Sequence, residues 1–240
     1  MYSYSGVFAG VTLSFCFLHE GTASFYGGDL TPCAFSENCI RIPPSECAEW
    51  QGRWGMKDPA YAEYVLSCSY ACDALMRRDR IVFHGAAFRW HQRAWLFSAP
   101  SGTGKTTQLK NWQRLFGGEM EIMNGDKPIL ELCADGHVLV RPSPWKGKEG
   151  LGRDDITAPL GGIILLRQDR ENRIARATPG QAARSLFGRN YSSFADEEDV
   201  LNAARILEGI LRVTPVWILR NLGDEDSARL TYRTLCREGF

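Results

Sequence analysis

The chain has 240 residues, 44% of them hydrophobic and 23% charged, with 28 basic and 28 acidic side chains. That length suits one compact domain or one core with a small appendage, and it buries roughly 70–75% of the unfolded surface without disulfide staples. Balanced charge offers no long-range attraction for nucleic acid or an anionic membrane, and no apolar run approaches the roughly 18 residues of a membrane span.

The first twenty residues, MYSYSGVFAGVTLSFCFLHE, are apolar, but no Lys or Arg precedes Arg41. A secretory leader needs a basic start, so a cytoplasmic protein is expected. Val7, Ala9, Val11, Leu13, Phe15 and Phe17 alternate with small or polar neighbours, which predicts a β-strand. Residues 1–48 read as rich in strands and turns, with YGGDLTPC and IPPSE as breakers. Asp58 and Pro59 then open a helix that runs to about Arg78, with Asp58 as cap and Pro59 in the first turn. Residues 1–78 form a small N-terminal strand-and-helix region, and residues 79–240 form the larger core.

Two strand-like runs follow, Ile81–Phe88 and Ala94–Phe97, joined by a polar turn. The second leads into the glycine-rich SAPSGTGKTT. TTQLKNWQRLF reads as a helix ended by Gly117-Gly118, and short strands follow, with a hairpin turn at Asp135-Gly136. LGGIILLRQD is a buried strand, DEEDVLNAARILEGILRV an amphipathic helix, PVWILRN a strand and DEDSARLTYRTLCRE a last helix. Strands and helices mix throughout, with hairpins near the glycine loop. An α/β fold with a mixed β-sheet and helices packed on it is expected, rather than an all-parallel wheel.

The eight cysteines, Cys16, Cys33, Cys39, Cys47, Cys68, Cys72, Cys133 and Cys236, include no C-x-x-C pair, and the four histidines do not cluster with them. Reduced thiols fit this better than a zinc site or disulfides.

The chemistry gathers at the loop. A phosphate-binding loop wants Gly-x-x-x-x-Gly-Lys-Ser/Thr between a strand and a helix. Gly104, Lys105 and Thr106 match, Gly102 adds backbone freedom, and Ala99 stands where the first glycine belongs. Loop amides and the helix N-terminus would hold an anion, so Ala99, Pro100, Ser101, Gly102, Thr103, Gly104, Lys105, Thr106 and Thr107 form the nucleotide-binding candidate. Lys105 would reach the β- and γ-phosphates of ATP, and the Thr106 hydroxyl would bind Mg2+. Alanine at position 99 is tolerable if its φ is negative.

Asp126 follows a short apolar stretch in EIMNGDKPIL. It would hold Mg2+ or take a proton from an attacking hydroxyl, while Asp154 and Asp155 read better as loop caps. His84 sits in the apolar IVFHGAAF. RPSPWKGKEG, residues 141–150, sets Arg141, Lys146 and Lys148 around Trp145. It is either a solvated basic turn or a set of cations facing a phosphate or acidic group. Trp145, Lys146 and Lys148 are the acceptor-binding candidates.

Taken together, His84-Gly85, SGTGKTT and NGDKP resemble the HPr kinase/phosphorylase family, whose core is also similar to ATP-dependent phosphoenolpyruvate carboxykinase. PSPWKGKEG is similar to a Pro-Trp-x-Gly-Lys segment in uncharacterised bacterial relatives of that family. The resemblance covers roughly residues 80–167. It implies a P-loop kinase core with His84 near the γ-phosphate, Asp126 as metal or base carboxylate, and Arg167 at the nucleotide. The family has two acids where NGDKP has one, and its glycine-rich C-terminal signature is absent.

The reading is therefore an ATP- and Mg2+-dependent kinase. It would transfer the γ-phosphoryl group to a hydroxyl, most simply a serine of a protein or peptide. Lys105 and either His84 or Asp126 would act in catalysis. No nucleic acid or membrane partner is expected, and a homo-oligomer is compatible with the composition. The alternatives are an ATPase or regulatory switch, and a catalytically inactive nucleotide-binding module.

Overall fold

A computed structural model describes residues 1–192 and 196–240. The chain begins with a hairpin, β1 (Tyr2–Phe8) and β2 (Val11–Phe17), then a 3-10 segment (Glu20–Tyr26), β3 (Thr31–Pro32) and two helices, α1 (Pro44–Trp54) and α2 (Pro59–Met76). β4 (Arg80–Phe83), β5 (Ala86–Trp90) and β6 (Arg93–Ser98) lead into α3 (Lys105–Phe116). After β7 (Met120–Asn124), β8 (Ile129–Leu132) and β9 (Val138–Arg141) comes the long β10 (Ala158–Gln168). The chain closes with β11 (Arg173–Arg176), α4 (Pro179–Phe187), β12 (Asn190–Tyr191), α5 (Glu197–Val213), β13 (Val216–Asn221) and α6 (Glu225–Arg237).

The fold is mixed α/β, as the pattern of elements predicts. β10 organises the main sheet. Its start pairs antiparallel with β9, and its remainder pairs parallel with β6 and β13. One half of the sheet is the antiparallel run β12-β4-β8-β9; the other holds β7-β5-β6, β10, β13 and β11. Two short crossings join the halves, from β4 to β5 through His84-Gly85 and from β7 to β8 through residues 125–128; the chain also crosses by way of α4 from β11 to β12 and of α5 from β12 to β13.

Alternate residues of β10 serve opposite faces, the period-two signature of a strand. Ile163 and Leu165 pack with Ala203, Ile206 and Ile210 of α5. Ile164 and Leu166 pack with Trp112 of α3, Trp217 of β13 and Leu235 of α6. A third core joins the N-terminal region to the sheet, with Phe8, Phe15, Tyr26 and Leu75 against Val82, Ile129 and Trp145. Buried Glu63 on α2 fastens that region further. Its carboxylate accepts from the Leu18 and His19 amides at 2.7 and 3.1 Å and from the Thr22 hydroxyl at 2.6 Å.

Four local expectations are corrected. The N-terminal alternation is two strands, because Ala9 and Gly10 both take positive φ and reverse the chain as a tight hairpin. Val7 consequently lies 71% exposed. IPPSE does not break structure but starts α1, with Pro44 in the first turn, where a missing N–H costs nothing. Ile81–Phe88 is not one strand: it breaks at His84-Gly85, where the chain leaves one half of the sheet for the other. Gly117 ends α3 in a right-handed rather than left-handed conformation. The Asp135-Gly136 hairpin is present, with Gly136 at φ 86°. Among the described residues no helix is long and apolar enough to cross a membrane.

Candidate functional site

The glycine-rich loop joins β6 to α3, in the expected strand–loop–helix order. Gly102 and Gly104 take positive φ, at 77° and 106°, conformations that favour glycine. Gly104 caps α3, so the free amides of its first turn open at the loop. Ala99 keeps a negative φ and is buried, so the missing glycine strains nothing. Lys105 is buried at the start of α3, and its Nζ donates to the carbonyls of Ala99 at 3.0 Å and Pro100 at 3.4 Å. Thr106 is half-buried, while Ser101 and Thr107 are exposed.

His84 is tied to the loop from behind, since the Ser98 hydroxyl donates to its carbonyl at 3.0 Å. The Gly85 N–H donates to the Asp126 carbonyl at 3.0 Å, which joins the two crossing segments of the sheet. Side chains then meet: His84 Nε2 lies 3.7 Å from Asp126 Oδ1, and Lys127 Nζ lies 3.3 Å from Asp126 Oδ2. Asp126 is held in place by Asn124, whose side-chain oxygen accepts from the Asp126 and Lys127 amides at 2.9 and 2.7 Å. This local turn is typical of asparagine.

Electrostatics link the loop to the pair. Burial lowers the His84 pKa below its usual 6.5, Lys105 lowers it further, Asp126 opposes that, and Arg189 and Lys127 lower it again. Burial also lowers the Lys105 pKa, Asp126 raises it and Arg189 lowers it. The imidazole is therefore biased neutral and the ammonium is held in a site that disfavours charge. His84 and Asp126 meet through their side chains, and both interact electrostatically with Lys105.

Arg167 lines a cleft of about 390 Å3 with Arg184, Arg189 and loop residues Ala99, Pro100 and Thr103. Trp145 is buried and stacks on Phe8 with ring centroids 5.7 Å apart, so much of its surface serves packing. Lys146 pairs with Asp154 at 2.5 Å, and Lys148 is exposed. The loop bearing them rests on Asp126 through Gly147, at φ 74°. Among the described residues no three His, Cys, Asp or Glu groups are placed to hold a metal ion.

Sequence reasoning missed Arg189 and Tyr191. The His84 N–H donates to the Arg189 carbonyl at 2.6 Å, and the Tyr191 ring meets His84 edge-on, 5.9 Å between centroids. Lys127 Nζ lies 5.0 Å from the Tyr191 ring centre. No local motif marks GRNY. It reaches the site because α4, begun by a Thr178–Gln181 capping box, delivers it to β4 as an edge strand.

No family model matches the chain, and no curated sequence does. Among solved structures it is similar to one described as the Hpr(Ser) kinase/phosphatase from Coxiella burnetii, at 12% identity and a TM-score of 0.37, over 65% of this chain and 88% of that one. A likeness that slight carries no function.

Proposed function

We propose that the protein is a kinase that transfers the γ-phosphoryl group of ATP to a hydroxyl, with a serine of a peptide or protein as acceptor. The observation that supports it is the convergence of Lys105, His84 and Asp126 beside a glycine loop that opens a helix. A phosphate loop alone fits any nucleotide-binding protein. A loop facing an imidazole–carboxylate pair has, in addition, a place for a proton.

The loop amides and Lys105 bind the phosphates, and Lys105 exchanges two neutral carbonyl partners for anionic oxygens. Thr106 and Asp126 suit Mg2+, a hard cation that keeps several waters and needs few protein oxygens. Mg2+ supplies charge neutralisation on the phosphates. The acceptor oxygen forms its bond to the γ-phosphorus as the bridging oxygen's bond to it breaks and ADP leaves. The hydroxyl proton passes to the His84–Asp126 pair. His84, biased neutral, has a free lone pair for it, and Lys127 steadies Asp126 from the other side. Catalysis is then mostly positioning and fixed charge.

Radiolabelled ATP offered to lysates and serine peptides tests this. Label should enter an acceptor with wild type and be lost with Asp126→Asn. Phosphate release without a labelled acceptor overturns the kinase in favour of an ATPase. Absence of ATP–Mg2+ binding overturns both.

A further inference from the structure

β12 is the terminal strand of the sheet and, among the described residues, pairs only with β4. Its register decides which way its backbone faces. The His84 N–H meets the Arg189 carbonyl, so Asn190 opposite Phe83 forms the non-hydrogen-bonded pair and Tyr191 opposite Val82 the bonded one. The N–H and C=O of Asn190 therefore point away from β4, on the side where no described strand pairs with β12.

A cavity of about 610 Å3 lies there, within the roughly 300–1,000 Å3 of ligand sites. It sits between α2 and β12 and is walled by Tyr64, Cys68, Trp145, Lys127, Asn190 and Tyr191 among others. Its lining is rich in aromatic rings and carries one acid, Glu46, and one base, Lys127. Glu46 already accepts from Tyr70 at 2.8 Å. Such a wall suits a ligand of little net charge.

Buried polar atoms of this lining without a hydrogen-bond partner include Nδ2 and Oδ1 of Asn190 and Nε1 of Trp50. Buried polar groups are normally paired, because leaving one unpaired forfeits its hydration with nothing in return. An amide short of both a donor and an acceptor matches another amide. The cavity also adjoins the reactive pair: Lys127 contacts Asp126, Tyr191 contacts His84, and both line it.

We infer that the acceptor binds as an extended peptide that adds a strand to the outer edge of β12 at Asn190. An aromatic or large apolar side chain enters the cavity beside Tyr64 and Trp145, and the acceptor serine lies at His84–Asp126. Strand addition gives affinity through the main chain and selectivity through a side-chain pocket. This rests on the kinase reading above.

The test uses the full chain and blocked nonapeptides with a central serine and randomised flanks. Labelling from ATP should select an aromatic or large apolar residue at one fixed position. In the selected peptide, N-methylation at the position opposite Asn190 should raise KM about tenfold, and methylation one residue away should not, because alternate amides face the partner strand. Asn190→Pro removes the outward N–H together with the side-chain amide and should raise KM at least as much, with affinity for a fluorescent ATP analogue unchanged. Labelling without positional selection, or methylation effects that do not alternate, overturns the groove and leaves the kinase. The same nonapeptides, fluorescein-tagged and screened for binding rather than for transfer, provide the other arm. Binding with that positional selection but no transfer, ATP being bound, overturns the kinase and leaves the groove; neither binding nor transfer overturns the groove.

Discussion

Gly147 stands against Asp126: a Cβ built on it would lie 2.8 Å from the Asp126 Cβ, closer than real atoms approach. The 142–150 loop therefore serves as a backstop for the carboxylate. Gly147→Ala pushes Asp126 away and also strains a backbone at φ 74°. A shift near 1 Å costs on the order of a hundredfold in transfer rate. The expected result is that loss, with ATP affinity kept and a stability change of about 1 kcal/mol. Single-turnover kinetics and a melting curve check it.

The His84 titration has a defined sign. Its imidazole loses its proton below the usual 6.5, so a reaction that needs the neutral ring falls off only on the acid side of that value. In NMR titrations Lys105→Met should raise the His84 pKa and Asp126→Asn should lower it, since the ammonium disfavours and the carboxylate favours the charged ring. For stability the sign follows from proton uptake. The unfolded histidine binds its proton first, so stability is lost as pH falls from about 6.5 through the lower folded value.

Lys105→Met should leave the melting temperature nearly unchanged, because its native partners are two loop carbonyls of its own segment. Its effect should fall on the nucleotide. Loss of one charge-assisted contact to phosphate corresponds to about a hundredfold in Kd, or roughly 2.7 kcal/mol. Titration calorimetry with ATP–Mg2+ reads it directly.

Ala99→Gly, which restores the usual loop spelling, should not tighten ATP binding. Ala99 already has a negative φ and its methyl group is buried. Glycine there adds freedom to the unfolded chain and removes packing, at a cost of about 1 kcal/mol. Equal Kd values with a lower melting temperature are expected.

Glu63→Ala should be the more damaging change, although it lies outside the reactive group. It strands three donors, from Leu18, His19 and Thr22, at a site with no water-exposed carboxylate surface. About 2–4 kcal/mol is expected, and roughly 5–15 °C in melting temperature. Chemical denaturation with an unchanged slope would confirm a folded-state effect.

Much of this was legible in the residues, and the rest for identifiable reasons was not. Strand, glycines, lysine and helix occur in one uninterrupted stretch, so the loop could be found from local chemistry. The Asp135-Gly136 hairpin and β10 announced themselves the same way. His84 read as a strand residue because Ile81–Phe88 is apolar throughout. What breaks the run is tertiary: the Arg189 carbonyl and the Asp126 carbonyl capture the His84 and Gly85 amides. Arg189 and Tyr191 had no local signal, since their place depends on the pairing of β12 with β4. Trp145, read with the basic turn around it, shows the converse. Its neighbours are solvated, while the ring itself packs on Phe8.

The two short crossings between the halves of the sheet carry His84 and Asp126, whereas the glycine loop hangs from β6, within one half. The imidazole–carboxylate pair therefore exists only where the two halves are joined, whereas the strand and helix that flank the loop belong to one side. On the kinase reading proposed above, a chain whose halves are not joined would have no proton acceptor beside its glycine loop, and would not spend nucleotide before it is whole.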